Sequence, residues 1–130
     1  MLHKYLLMTY YLRVFLANLS PATIRLGQAS ATRALGDRFG CVVLLKGVHL
    51  AGDLVNLLWD GHSLHKWESI RLEDVNTHGS GCMLSAVITA KLAAGESLRE
   101  SVFAGLKTVH RALANPILLQ PKVRLAGIEP

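Results

Sequence analysis

The sequence predicts an α/β domain, with helices packed on a mainly parallel sheet that carries a β-hairpin. Three observations predict it. The run "CVVLL" at 41–45 is short, β-branched and bracketed by Gly40 and Gly47, the signature of a strand buried on both faces, as in parallel sheets. Asp60-Gly61 separates two further strand-like runs, and such a pair favours a tight hairpin turn. Segments with helix start and stop signals precede and follow these strands, giving the order helix, strand, strand, strand, helix, helix.

Each element has its own warrant. The start, "MLHKYLLMTYYLRVFLANLS", is apolar and aromatic, and its pattern suits helix or buried strand equally. Arg13 interrupts it, leaving it too short to span a bilayer. It reads as buried structure, with a secretory signal as the alternative. Ser20-Pro21 marks a helix start, serine as cap and proline in the first turn. The helix continues to Gly40, and Gly27 is a point where it could break in two. After "CVVLL", the run "DLVNLLWDG" is a strand ending in the Asp60-Gly61 turn, and "SLHKWESIRL" returns as a more polar edge strand. A helix follows from about Ser80 to Ala94, closed by Gly95. Ser97 with Glu100 forms a capping box for a last helix, which Pro116 stops. Residues 116–130 show no period and are expected to be irregular.

Composition bounds the function. At 130 residues the chain is one domain, expected over 1–130 and large enough for a real core. Hydrophobic residues make up 51% and charged residues 18%, which excludes a disordered chain. The formal charge of +5 admits anionic partners. No lysine or arginine run interleaves with aromatics, so no nucleic acid is expected as partner, and no membrane. Cys41 and Cys82 form neither a disulfide framework nor a zinc pattern. A reducing, cytoplasmic setting fits two such cysteines. His62 and His65 lack a cysteine companion, so no metal site is expected on protein side chains.

The most informative stretch is "NTHGSGC", 76–82, followed by the alanine-rich "MLSAVITAKLAAG". Gly79 and Gly81 let the backbone curl without a Cβ clash. Such a turn can aim successive N–H groups into one anion-binding concavity. The helix behind it adds unpaired amides and the positive end of its dipole. Cys82 falls in the first turn, where a thiolate is favoured. The pattern describes an oxyanion or phosphate cradle with an ionisable group at its lip. The plain alternative is an ordinary turn before a helix, with cysteine as a small buried residue. Lys46 follows the buried strand, where ligands of open α/β sheets bind and a lysine can meet phosphates as a point charge. Taken alone, it is equally a solvated strand end.

Together these blocks resemble the C-terminal half of the hydroxymethylpyrimidine/phosphomethylpyrimidine kinases, thiamine-biosynthesis enzymes of the ribokinase-like superfamily. The family's hallmark is lysine-glycine-glycine-histidine, an aspartate-rich hairpin, then asparagine-threonine-histidine-glycine-threonine-glycine-cysteine and an alanine-rich helix. Here stand Lys46-Gly47-Val48-His49, Asp53-Leu54, Asp60-Gly61 and "NTHGSGCMLSAVITAKLAAGESL". Upstream, "LANLSPATIRLG" is a weaker echo, with Asn18, Leu19, Ala22, Leu26 and Gly27 in register. Residues 17–115 are thus family-like, and 1–16 are a divergent start.

The resemblance implies a partial ribokinase-like three-layer fold whose N-terminal half is missing. It implies ATP and Mg²⁺ as cofactors and a small pyrimidine as substrate. Lys46 would steady the nucleotide phosphates, and Asn76 and Thr77 would line the nucleotide side. Gly79, Ser80, Gly81 and the Cys82 amide would hold the transferring γ-phosphoryl, with Cys82 as general base on the hydroxymethyl group. The departures also speak. Ser80 keeps the family threonine's hydroxyl, Val48 replaces a glycine, and the glutamate expected near Pro21, which helps organise magnesium, is absent. With half the sheet absent, an exposed edge invites self-association or a completing partner chain. Three alternatives remain: a hydroxyethylthiazole or pyridoxal kinase, a non-catalytic nucleotide-binding or oligomerisation module, and a basic nucleic-acid binder.

Overall fold

The computed structural model describes residues 21–50, 53–120, 123–125 and 127. The expectations for the divergent start, for Ser20 as a helix cap, and for Asn18 and Leu19 lie outside the described residues. The elements run α1 (Pro21–Phe39), β1 (Val43–Leu50), β2 (Asp53–Trp59), β3 (Leu64–Ile70), α2 (Ser80–Ala93), α3 (Leu98–Ala114), β4 (Ile117–Gln120) and β5 (Val123–Leu125). They fall into two compact units, one ending at Arg71 and the other beginning at Leu72.

In the first unit, α1 packs on a three-stranded sheet of order β1-β2-β3. The helix is continuous through Gly27. Packing outweighs the ~1 kcal/mol that a mid-helix glycine costs. Gly36 explains the close seating of helix on sheet: a Cβ there would collide with the Trp59 indole. Arg33 lies over the same ring, its guanidinium carbon 5.0 Å from the centroid. Leu45, Val55 and Leu57 form the core, with Leu35 and Leu64 against it.

Every strand pairing in this sheet is antiparallel. For the described residues this corrects the expectation of a mainly parallel sheet. The expectation rests on "CVVLL", where Val43 and Leu45 are buried but Cys41, Val42 and Leu44 only partly so; the strand covered on both faces is β2, whose last five residues are all buried. Burial on both faces marks a covered central strand, whichever way its neighbours run. The hairpin forms as expected. Asp60 N–H donates to the Ser63 carbonyl at 3.2 Å, and Gly61 takes φ 99°. β3 is the polar edge strand, its side chains alternating between partly covered and exposed.

The second unit is a helix pair followed by a short hairpin. α3 buries Ser101, Val102, Gly105, Val109 and Ala112, one stripe at helical spacing. Gly105 lets α2 approach, since a Cβ would stand 2.8 Å from Leu84 Cδ1. The capping box at the start of α3 is present. Glu100 N–H donates to Ser97 Oγ, and Glu100 Oε2 accepts from the Ser97 N–H. Where it is described, the tail is not irregular, as β4 and β5 pair antiparallel. Strands of 4 and 3 residues are too short to print a period in the sequence.

Candidate functional site

The turn before α2 is built by its own backbone and by Asn76. Asn76 Oδ1 accepts from the His78 N–H at 3.0 Å, a local Asx turn. The Ser80 N–H donates to the Thr77 carbonyl at 3.1 Å. Gly79 stands at the N-cap in the left-handed region, φ 80°. A residue with a Cβ is strained there, which accounts for the glycine. The first regular helical bond, Met83 N–H to the Gly79 carbonyl, is 3.0 Å.

This geometry sorts the predicted anion-hole residues. Ser80 is buried and its N–H is engaged by Thr77, so its amide does not face an incoming anion. The amides of Gly81 and Cys82 lie in the first helical turn, where helix geometry supplies no partner. Among the described residues no side-chain cap bond is made at the Gly79 N-cap. A Cβ placed on Gly79 or on Gly81 would meet nothing within 4 Å. At Gly81 φ is not positive and no described residue crowds the α-carbon, so the described backbone does not demand glycine there. Open space over bare amides is what a close-approaching phosphate requires. Cys82 is exposed, which sets aside the reading of a small buried residue. Asn76 and Thr77 are exposed as well.

Lys46 belongs to the first unit, while the turn belongs to the second. Lys46 is not past the end of its strand, as expected, but inside β1. The register pairs Leu45 with Leu57 and Val48 with Val55. Lys46 and Gly47 therefore stand together opposite Asn56, two residues against one, which is a β-bulge. Gly47 takes φ 73°, and its N–H donates to Asn56 Oδ1 at 3.0 Å. Lys46 is partly buried, and burial lowers its pKa from the ordinary lysine value. An anion beside it would offset that cost of burial.

Two features escaped sequence reasoning. Asn56 is 3% exposed within an otherwise apolar strand. A buried amide in such a run was the available signal, because a buried polar group needs a partner. Asp60 does more than turn the chain. Its Oδ1 accepts from the His62 and Ser63 N–H groups at 2.8 and 2.7 Å, and its Oδ2 meets His65 Nε2 at 2.7 Å. These bonds, the Ser63 amide's first, hold the Asp60 carboxyl well below the usual range.

Among the described residues no three His, Cys, Asp or Glu side chains gather to hold a metal ion. The described donors therefore do not fit Mg²⁺ as a protein-held ion. No described helix is long and apolar enough to cross a membrane.

Comparison with known proteins places the chain in a family. A sequence model described as phosphomethylpyrimidine kinase matches residues 16–124. The hydroxymethylpyrimidine/phosphomethylpyrimidine kinase of Streptomyces coelicolor is 41% identical over 85 residues, covering 65% of this chain and 30% of that one. The thiamine biosynthesis bifunctional protein ThiED of Geobacter sulfurreducens is 44% identical over 78 residues, 58% of this chain and 16% of its own. The chain thus spans less than a third of either relative. In structure, an ADP complex of Bacillus subtilis pyridoxal kinase matches with a TM-score of 0.65 at 27% identity. That match covers 75% of this chain and 37% of the kinase. The architecture is a partial ribokinase-like α/β fold.

Proposed function

The chain belongs to the phosphomethylpyrimidine kinase family, and from that premise we propose that it takes part in ATP-dependent phosphorylation of 4-amino-5-hydroxymethyl-2-methylpyrimidine and its monophosphate. The observation that carries this reading is the uncapped first turn at Gly81 and Cys82, with open space over Gly81 and an exposed thiol at its lip. Phosphoryl transfer asks a protein mainly for positioning and charge neutralisation. In this reading the Gly79, Gly81 and Cys82 amides hold the γ-phosphoryl oxygens, and Lys46 offsets phosphate charge. Asn76 and Thr77 shape the turn that presents those amides.

The Cys82 thiolate takes the proton from the hydroxymethyl oxygen as that oxygen bonds to the γ-phosphorus. The bond from phosphorus to the bridging oxygen breaks, and ADP leaves with the electron pair. A phosphate acceptor is already anionic and needs no such base. Mg²⁺ belongs to this chemistry as charge carried in on the nucleotide, and no step here runs through it. We place the reaction in the cytoplasm, on the composition and the free cysteines. We also infer self-association or a completing partner chain. The relatives spread this activity over a much longer chain, and Ile70 and Phe103 are exposed at 78% and 52%.

A pyridoxal-type substrate is the second reading. It is favoured by the structural match and by the Bacillus subtilis pyridoxine kinase, 34% identical over 86 residues. Purified chain given γ-labelled ATP with hydroxymethylpyrimidine, its monophosphate or pyridoxal separates these. Faster transfer to the pyrimidines supports the first reading, and preference for pyridoxal the second. Nucleotide binding without transfer to any acceptor leaves a non-catalytic module. Absence of nucleotide binding ends both.

A further inference from the structure

We propose that Asn56 is the positioning residue for Lys46: its buried amide closes the β1 bulge and so fixes the direction in which the lysine leaves the sheet. The inference rests on the reading of Lys46 as a phosphate partner and adds a residue that the reading did not contain. A regular antiparallel ladder gives each residue one partner, and successive side chains alternate in face. Between Leu45 and Val48 this ladder is interrupted, with Lys46 and Gly47 sharing Asn56 as their opposite. An inserted residue leaves one backbone donor without its ladder acceptor. Here that donor is the Gly47 N–H, and Asn56 Oδ1 accepts it at 3.0 Å.

The arrangement has two further marks of design rather than accident. Gly47 takes φ 73°, which lets the strand bend without a Cβ clash. Asn56 is 3% exposed, so the bond sits in a place where leaving either group unmade is costly. A bulge re-aims the side chain beside it. Without the Asn56 acceptor the bulge loses the partner for its spare amide, and a slip of one residue sends the neighbouring side chain to the other face. The chain keeps a polar side chain in the middle of the buried run of β2, opposite the one lysine with a proposed phosphate role.

The test is a double-mutant cycle read by ADP binding to the full 130-residue chain, with the variants Asn56→Leu, Lys46→Ala and both together. Leucine has similar bulk and no acceptor. Lys46→Ala is expected to weaken ADP about tenfold, the scale of one charge-assisted contact. Asn56→Leu is expected to weaken it about fivefold where Lys46 is present and not at all in the Lys46→Ala background. If the leucine variant does not fold, Asn56→Ser runs the same cycle, because its hydroxyl is too short for the bond.

Equal losses in both backgrounds would make Asn56 a merely structural residue and overturn the proposal, as would no loss in either. If Lys46→Ala leaves ADP affinity unchanged, the reading of Lys46 falls and this inference falls with it. If Lys46→Ala weakens ADP while Asn56→Leu does not, only the inference falls.

Discussion

The two units carry their candidate residues in opposite ways. In the first, Lys46 sits in a strand whose neighbours are closely packed, and its direction depends on a bulge backed by a buried amide. In the second, Cys82 and its neighbours lie on an exposed turn held by three short-range bonds, from Asn76, Thr77 and Gly79. One group is aimed by the core and the other by local backbone geometry. The lesson is that the two fail differently. Disturbing the core should move Lys46 through stability, whereas the turn can lose function while the fold stands.

The sharpest way to break that contrast is Cys82→Ser. We expect phosphorylation of the alcohol acceptor to fall about 100-fold or more, the usual scale for a lost general base. The monophosphate acceptor should lose far less, and the unfolding midpoint should not move. Parallel acceptor assays and a thermal melt check this, and equal losses would contradict the base assignment. Next comes Gly81→Ala, which fills the open space over the amides without backbone strain. ADP affinity should drop about tenfold with stability unchanged, read by calorimetric titration.

Gly36→Ala probes the other unit. Its Cβ would strike the Trp59 indole, and overpacking of this kind costs about 1–3 kcal/mol. Chemical denaturation should show the loss. A neutral result would mean that α1 does not bear on β2 as closely as the structure has it. Ser97→Ala removes one half of the capping box and should cost about 1 kcal/mol.

The smallest effect concerns pH. The Asp60 carboxyl is held low by the turn amides and His65. A lowered folded pKa means that the charged form stabilises the fold. That contribution is complete above the unfolded value, about 3.9, and is lost as pH falls through the folded one. Stability should therefore be flat from neutral pH down to about pH 5 and decline below it. In Asp60→Asn the acid decline should be shallower, as melts across that range would show.

How much of this was legible follows the same division. The helices were legible because their signals are local: Ser97 and Glu100, Gly95, Pro116. The turn's shape was legible because glycines report backbone geometry directly, whereas the engagement of the Ser80 amide by the Thr77 carbonyl was not. Strand direction was not legible. A short apolar run such as "CVVLL" records that a strand is covered and says nothing of how its neighbours run. The bulge was hidden for a related reason: the sequence shows Lys46-Gly47 and Asn56 but not their register, and register makes them partners. The β4–β5 hairpin lay below the length at which alternation can be seen.

The central claim is that the Gly81 and Cys82 amides receive a nucleotide's terminal phosphate. Its most direct test is an amide-resolved NMR titration of ¹⁵N-labelled chain with ADP, followed by ATP. The account predicts that the Gly81 and Cys82 N–H signals move most and saturate together, while the Ser80 signal, already bonded to Thr77, moves less. Nucleotide that binds while both signals stay fixed would contradict it.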